Sequence, residues 1–483
     1  MSWSMSRGAR LSVIGVLAVG GLAGCAVGPN FQRPVLTDEG DWSHSSGAVA
    51  DMARTMDASA TVPDQWWSLF GSAQLDALVT EALRANPDLK AADATLRQAR
   101  AQLRAARGAY LPSVDASYQA DRHKDSATLS PPLNDESLLY TLHTAQVSVS
   151  YPLDLFGGVR RSVESAAAQT QAVRYEYEAA RLSIITNTIL AAIEEATLRE
   201  QLTSLEVSVG AEHQVLTLLE RRETLGEVGR EEVLTQRAAL SSSEQELAET
   251  RKSHSQQQAA LAILLGRPPH QPLPPLLALG DLNLPKALPL SLPSQLVRQR
   301  PDVLAAEAQL HAASAEVGVA IAARLPELTL TASSGDIATR YGDMFTSGTG
   351  LWSLGAGVTQ PLFRGGALRQ QQKVAEAGLD KAKAEYRSAV LVALQDVANT
   401  LSALRFDADS LTAAETAEQA ARQRLTFAQR RLELGDIGTF ELVDAQRTHN
   451  EAQSAAISAR SARYADVVAL FQALGGGWEG RMP

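Results

Sequence analysis

Acidic residues follow two short glycine stretches. Leu225-Gly226-Glu227-Val228-Gly229 leads into Glu231 and Glu232, and Leu434-Gly435-Asp436-Ile437-Gly438 leads into Glu441 and Asp444. Glu441 and Asp444 are three apart, so they share one face of a helix. Carboxylates there attract cations, and they also suit the positive end of a helix dipole. No catalytic partner stands beside them. The eight His are scattered, at 44, 123, 143, 213, 254, 270, 311 and 449. No His-Glu-x-x-His, phosphate loop or Gly-x-Ser-x-Gly elbow occurs. These residue types point to electrostatics without bond chemistry, so neither an enzyme, a metal nor a cofactor is expected.

The elements that position these acids occur twice. The two glycine stretches lie 209 residues apart, as do Leu265-Gly266 and Leu474-Gly475, and Tyr151-Pro152-Leu153 and Gln360-Pro361-Leu362. Pro87-Asp88 and Pro301-Asp302 are each followed 25 residues later by Pro112 and Pro326. A solenoid unit is roughly 20–50 residues, so this is one structural half written twice. In the first copy the pattern predicts helices over Leu75–Arg107, Val159–Leu225 and on to Leu265. In the second it predicts Pro293–Arg324, Gly366–Leu434 and Thr439–Leu474. The longest pair spans about 100 Å each at 1.5 Å per residue. Val390, Leu394, Val397, Leu401 and Leu404 step by four and three, as do Ile185, Ile189, Ala192 and Ala196, marking seams where long helices pack. Gly226, Gly229, Gly435 and Gly438 are expected to supply the positive φ of a helix end and tight turn.

Between the helices lie alternating segments near 113–119, 145–151, 327–333 and 352–359. Val147, Val149 and Tyr151 share one face, with Gln146, Ser148 and Ser150 opposite; Trp352, Leu354, Ala356 and Val358 repeat the pattern. A barrel wall with lipid outside and water inside alternates this way, and so does a half-buried soluble sheet. Four strands cannot close around water; three chains would supply twelve, an even number as bacterial barrels require. Pro112, Pro152, Pro326 and Pro361 mark the boundaries between helix and strand, because Pro cannot donate to a ladder. Ala120–Thr144 and Ser334–Gly350 are then surface loops.

The chain's start carries an address. Arg7 and Arg10 precede an apolar stretch, Leu11–Leu22, too short to span a bilayer. It ends at Leu22-Ala23-Gly24-Cys25, which resembles a bacterial lipobox, and Cys25 is the only cysteine. Residues 1–24 are therefore read as a lipoprotein signal peptide and Cys25 as the lipidated residue. Ala26 after it follows the sorting rule for the outer membrane. Without residues 1–24 the chain keeps 42 basic and 54 acidic residues, net −12, which argues against nucleic acid as a partner. The lipobox and the lack of an apolar helix after Cys25 favour the barrel over the soluble sheet. The predicted organisation is a lipid-anchored equatorial segment (25–70), a first repeat (71–266), a Pro-rich equatorial segment (267–292), a second repeat (293–475) and a tail (476–483). Eight of the 20 Pro fall between Pro268 and Pro293, so that stretch is neither helix interior nor central strand.

Together these residues resemble the outer membrane efflux protein family, the TolC-like channels, and within it the lipoprotein branch that serves resistance-nodulation-division (RND) pumps. The resemblance rests on Cys25-Ala-Val-Gly-Pro-Asn-Phe-Gln-Arg-Pro34, Asn86-Pro-Asp-Leu89, Arg300-Pro-Asp-Val303, Ala306-Glu307, Gly318-Val-Ala320, Gln360-Pro-Leu-Phe363 and Leu442-Val-Asp-Ala-Gln446. It implies an α plus membrane β-barrel fold: a duplicated half-repeat whose long antiparallel helices form an α-barrel tunnel, with four strands per chain in a trimeric 12-stranded outer-membrane barrel. It further implies a homotrimer that docks a periplasmic membrane-fusion adaptor and an inner-membrane RND pump. The function implied is a passive exit conduit for drugs or other toxic small molecules, tied to antibiotic resistance, with palmitate on Cys25. The alternative is a periplasmic coiled-coil scaffold lipoprotein.

For the sites, the resemblance implies that Glu232, Glu441 and Asp444 ring the periplasmic aperture. It also implies that the turns at Leu225, Gly226, Gly229, Leu434, Gly435 and Gly438 receive the adaptor. In such a channel the helix–strand boundaries at Pro112, Pro152, Pro326 and Pro361 are the barrel–tunnel junctions. Where some members carry a Tyr and an Arg that lock the aperture, this chain has Leu432 and Ile437. A lock here is expected to pair the acids with Arg430, Arg431 or Arg230.

Overall fold

Pro87 divides what the pattern reads as one helix. In a computed structural model, which describes residues 26–34, 62–124, 139–274, 276–284 and 299–478, α1 runs Ala73–Ala85 and α2 runs Pro87–Arg107. Proline disfavours the α conformation in the residue before it. Asn86 accordingly adopts φ −55°, ψ 127°. It is buried, and its Oδ1 accepts from the amides of Asp88 (2.8 Å) and Leu89 (3.1 Å), capping α2. The order continues β1 (Ser113–Lys124), β2 (Leu139–Leu153), α3 (Gly158–Thr224), α4 (Arg230–Leu264), α5 (Pro301–Ala322), β3 (Glu327–Ala338), β4 (Gly350–Thr359), α6 (Ala367–Glu433) and α7 (Thr439–Ala473). The duplication is preserved to the residue: α3 and α6 have 67 residues each, α4 and α7 have 35 each. Among the described residues no helix is long and apolar enough to cross a membrane.

The chain divides into two compact units. One holds the strands, with residues 96–173 and 306–386 and the N-terminal segment to Pro34. Its sheet is antiparallel in the order β1-β2-β3-β4. The pairing register sorts the faces. Val114, Val149, Ala332 and Leu354 form one continuous cross-strand row, and Asp115, Ser148, Ser333 and Ser353 form the next. Side chains in one row share a face, so one face is apolar and the other polar, as the alternation predicts. Ser333 and Ser353 hydroxyls meet at 2.8 Å. Trp352 and Leu354 are each 79% exposed on the apolar face. The strands run past the alternating segments, so part of each expected surface loop is strand: β1 reaches Lys124, β2 starts at Leu139 and β3 reaches Ala338. The backbone ladder continues there although Arg122, Thr141 and His143 break the apolar pattern.

In the same unit the N-terminal segment is clasped. Arg161 Nε donates to the Val27 carbonyl (3.0 Å), its Nη2 to Asn30 Oδ1 (2.6 Å) and its Nη1 to Glu164 (2.7 Å). Phe31 stacks on His311 at 4.4 Å. Gly28 has φ +94°, and a Cβ there would lie 2.5 Å from Gly318 Cα. Two glycines are needed for this close approach.

The other unit holds residues 35–95, 174–305 and 387–483. Trp66, Phe70, Leu75, Ile185, Ile189, Leu261, Leu404 and Phe471 form its fully buried core. Trp66 stacks on Phe471 at 4.8 Å. Ile185, Ile189, Ala192, Ala196, Val390, Val397, Leu401 and Leu404 are buried as the heptad spacing predicts, while Leu394 is half-buried. Burying a large aliphatic side chain contributes about 1.5–3 kcal/mol, so a continuous seam suits helices this long.

Candidate functional site

Both long helices end in the same motif. The Gly226 amide donates to the Glu223 carbonyl and the Glu227 amide to Arg222; Gly435 donates to Leu432 and Asp436 to Arg431. This is the Schellman arrangement. It needs a left-handed residue, and Gly226 and Gly435 both have φ +75°. Gly229 and Gly438 do not share that role, contrary to expectation. They are N-caps of α4 and α7 with φ −81° and −84°, a region open to any residue. A second duplicated contact braces each turn: Arg222 Nε donates to Glu227 (3.1 Å) and Arg431 Nε to Asp436 (2.7 Å). Leu225 and Leu434 project from the turns, 68% and 78% exposed.

The three carboxylates stand in different surroundings. Glu232, exposed in the first turn of α4, accepts from the Thr439 hydroxyl in the first turn of α7 (3.3 Å), so it ties the two hairpins together. The exposed Glu441 carboxylate folds back to the α7 N-terminus, 3.1 Å from where a Cβ would stand at Gly438. Asp444 is paired: Arg424 on α6 donates to it, and Arg447 donates to its other oxygen at 3.4 Å. The hydrogen bond from Arg424, with Arg447 behind it, holds the Asp444 carboxyl below the usual carboxylate range.

Arg424 is thus the partner of Asp444 within the chain, where Arg430, Arg431 or Arg230 was expected. Arg431 is engaged by Asp436. A sequence signal for Arg424 exists: it and Asp444 stand ten residues either side of Leu434, so an antiparallel hairpin brings them together. Leu432 and Ile437 pack against Ala428, Leu442 and Ala445, so both positions are engaged in apolar contact.

Of the junction prolines, Pro152, Pro326 and Pro361 line one cavity of about 480 Å³, together with Asp154, Glu327 and Arg364. Pro112 is placed apart, immediately before β1. Pro152 stands one residue from the end of β2, opposite Thr329. Asp154 accepts from the amides of Val159 (3.1 Å) and Arg160 (2.9 Å) and so starts α3. Cys25 lies outside the described residues, as do residues 1–24 and most of the tail. Among the described residues no group of three or more His, Cys, Asp or Glu could hold a metal.

The sequence profile of outer membrane efflux proteins matches residues 78–267 and 292–476, one repeat each. The chain belongs to the outer membrane efflux protein family. It is similar to the pyoverdine export outer membrane protein OpmQ of Pseudomonas putida, 32% identical over 437 residues, covering 89% of this chain and 92% of that protein. It is 30% identical to the outer membrane protein OprJ of Pseudomonas aeruginosa, covering 95% of both chains. Among solved structures, the outer-membrane channel OprN superposes with a TM-score of 0.85 at 28% identity, covering 94% of this chain and 100% of that one. The open state of the MtrE outer membrane channel of Neisseria gonorrhoeae gives 0.81 at 28%, covering 94% and 98%. As an outer membrane efflux protein, the chain resides in the outer membrane as the exit channel of a tripartite efflux system and performs no catalysis. A periplasmic scaffold lipoprotein would not account for the four-stranded sheet with its sorted faces.

Proposed function

We propose that three copies of this chain close a lipid-anchored tube whose periplasmic end is an acid-ringed aperture. The observation that carries the reading is the sheet: β1 and β4 each pair on one side only among the described residues, and an unpaired edge is a template for another strand. Joining β4 of one copy to β1 of the next extends the apolar row through Leu354 and Val114. Twelve strands then close with lipid outside and water inside. Cys25, carrying palmitate, anchors the segment that Arg161 clasps, and residues 1–24 are its signal peptide. The exposed Leu225 and Leu434 at the braced turns are the docking points for a periplasmic membrane-fusion adaptor, with an RND-type pump behind it.

The barrel–tunnel junction is the cavity behind Pro152, Pro326 and Pro361, with Pro112 at the start of β1. Cargo selection lies upstream. Relatives are named for pyoverdine export, toluene efflux and antibiotic efflux, which supports a broad conduit for small toxic molecules, antibiotics included. Threefold repetition of Glu232, Glu441 and Asp444 would concentrate negative charge on the axis and favour cations, tempered by Arg424.

The test is planar-bilayer recording of the purified chain beside the Glu232→Ala/Glu441→Ala/Asp444→Ala variant. Small cation-selective steps that grow or lose selectivity in the variant are expected. Identical steps from both proteins would remove these acids from the aperture. A detergent-corrected mass of one chain would sink the trimer.

A further inference from the structure

One buried polar group takes no part in the aperture. Glu212, on α3 twelve residues before its C-terminus, is 6% exposed, and Gln236 opposite it on α4 is 1% exposed. Ser243 donates to Glu212 Oε1 at 3.0 Å, and Gln236 Nε2 donates to the Glu212 carbonyl at 3.3 Å. Two oxygens in this seam, Glu212 Oε2 and Gln236 Oε1, are buried with no hydrogen-bond donor. A buried acceptor without a donor destabilises the packed state, and a proton on the Glu212 carboxyl turns one of its oxygens into a donor. The duplicate positions, 209 residues on, are Ala421, Ala445 and Ala452 in place of Glu212, Gln236 and Ser243. The fold therefore has no need of polar groups there. Leu205, Val209, Leu240 and Leu247 form the apolar part of the same seam.

We propose that the Glu212–Gln236–Ser243 seam is a proton-binding site that tightens the first helical hairpin on mild acidification and loosens it at neutral pH. The charged groups acting on Glu212 are Glu246 and Glu244 on α4, and His213 beside it on α3. From α7, the contact to the neighbouring turn is neutral, Ser208 donating to Asn450 at 2.8 Å. Burial, and after it the two α4 acids, push the Glu212 carboxyl above its ordinary value of 4.5, against the Ser243 hydrogen bond and His213. A group whose folded pKa is raised stabilises the packed state below its unfolded pKa, and this is lost as pH rises through the folded pKa. The hairpin is tightest below 4.5 and loosens toward neutrality.

The test is hydrogen exchange on the full-length protein at pH 4.5 and 7.5, corrected for intrinsic rates, with peptides from both hairpins. It is independent of channel activity, so it fails separately from the conduit reading. In an Asp466→Asn background, which removes the raised acid of α7, opening of residues 205–247 rises by about threefold to tenfold at pH 7.5, while residues 414–456 do not follow. Glu212→Gln, which keeps size and cannot ionise, removes the rise. Glu212→Ala, the residue that the second hairpin carries, removes it as well. Parallel behaviour of the two hairpins, or a rise that persists in Glu212→Gln, overturns the proposal.

Discussion

Arg222 braces Glu227 at the end of the first hairpin, and Arg431 braces Asp436 at the end of the second. The turns carry the same glycine at the same φ. Twelve residues back the two hairpins part. The first buries Glu212 and Gln236; the second buries Ala421 and Ala445 at the same places and closes its tip with Leu432, Ile437 and Leu442. The carboxylates that follow the turns differ as well: Asp444 of the second hairpin is held by Arg424, whereas the exposed Glu232 of the first accepts from the neutral Thr439 hydroxyl. Duplication kept what the backbone requires and released what the side chains do. The turn is fixed by φ and by carbonyls that must be satisfied. The seam is fixed only by volume and by polar satisfaction, so one copy could exchange alanine for polar groups.

The comparison can be broken most directly by Ala421→Glu, which installs in the second hairpin the acid of the first without the Ser and Gln beside it. Ala421 is 7% exposed. A buried charge with no partner should cost about 3 kcal/mol, read as a lowered denaturation midpoint, and the loss should shrink at pH 5. A variant as stable as wild type at pH 7.5 would mean that the seams are interchangeable.

The shared turns give the next largest effect. Gly226→Ala and Gly435→Ala each force a side chain into the left-handed region, at about 1–2 kcal/mol. The two losses should agree within a few tenths of a kcal/mol, because both glycines face open space. Unequal losses would show that the turns are not equivalent in the assembled protein.

A third test uses another duplicate pair. Gln257 on α4 donates to the Ala191 carbonyl at 3.0 Å; its counterpart on α7 is Asp466. Burial first, then Asp407, pushes Asp466 up to about 6, against Arg463. The neutral acid is the favoured form, so its contribution is present at low pH and lost as pH rises through about 6. Asp466→Asn should match wild type near pH 4 and exceed it at pH 8 by about 1 kcal/mol, allowing for solvent screening. Thermal melts at the two pH values measure it; a pH-independent difference would remove Asp466 from the account.

The smallest effect concerns the braces. Arg222→Ala and Arg431→Ala should each cost about 0.5 kcal/mol or less, since both pairs are solvent-exposed. Sensitivity to salt should be equal in the two. A loss several times larger at one turn would mark that brace as buried in an interface.

Much of the architecture is legible in the residues. The repeat offset, the glycine turns, the heptad seams and the alternating strands all follow from local periodicity, and each reappears where the spacing puts it. The errors are also local in origin. The break at Asn86 was hidden because Pro87 can open a helix as readily as end one. The strand ends beyond residues 119 and 333 were hidden because a ladder needs only backbone partners. Gly229 and Gly438 were given a positive φ that their N-cap position does not require.

Arg424 and Glu212 belong to another kind. Each meets its partner across a hairpin, Arg424 with Asp444 and Glu212 with Gln236. Their separation from the turn is readable, but which residues on two facing helices touch depends on the rotation of each helix about its axis. The sequence by itself determined the duplication, the element types, the polar and apolar strand faces and the turn chemistry, since all of these depend on neighbours within a few residues. Tertiary structure alone decided the pairing of β2 with β3 across the two repeats, the ion pair that holds Asp444, and the burial of Glu212 Oε2 without a donor. These rest on contacts between distant parts of the chain, where helix rotation and strand register, not local spacing, set which groups meet.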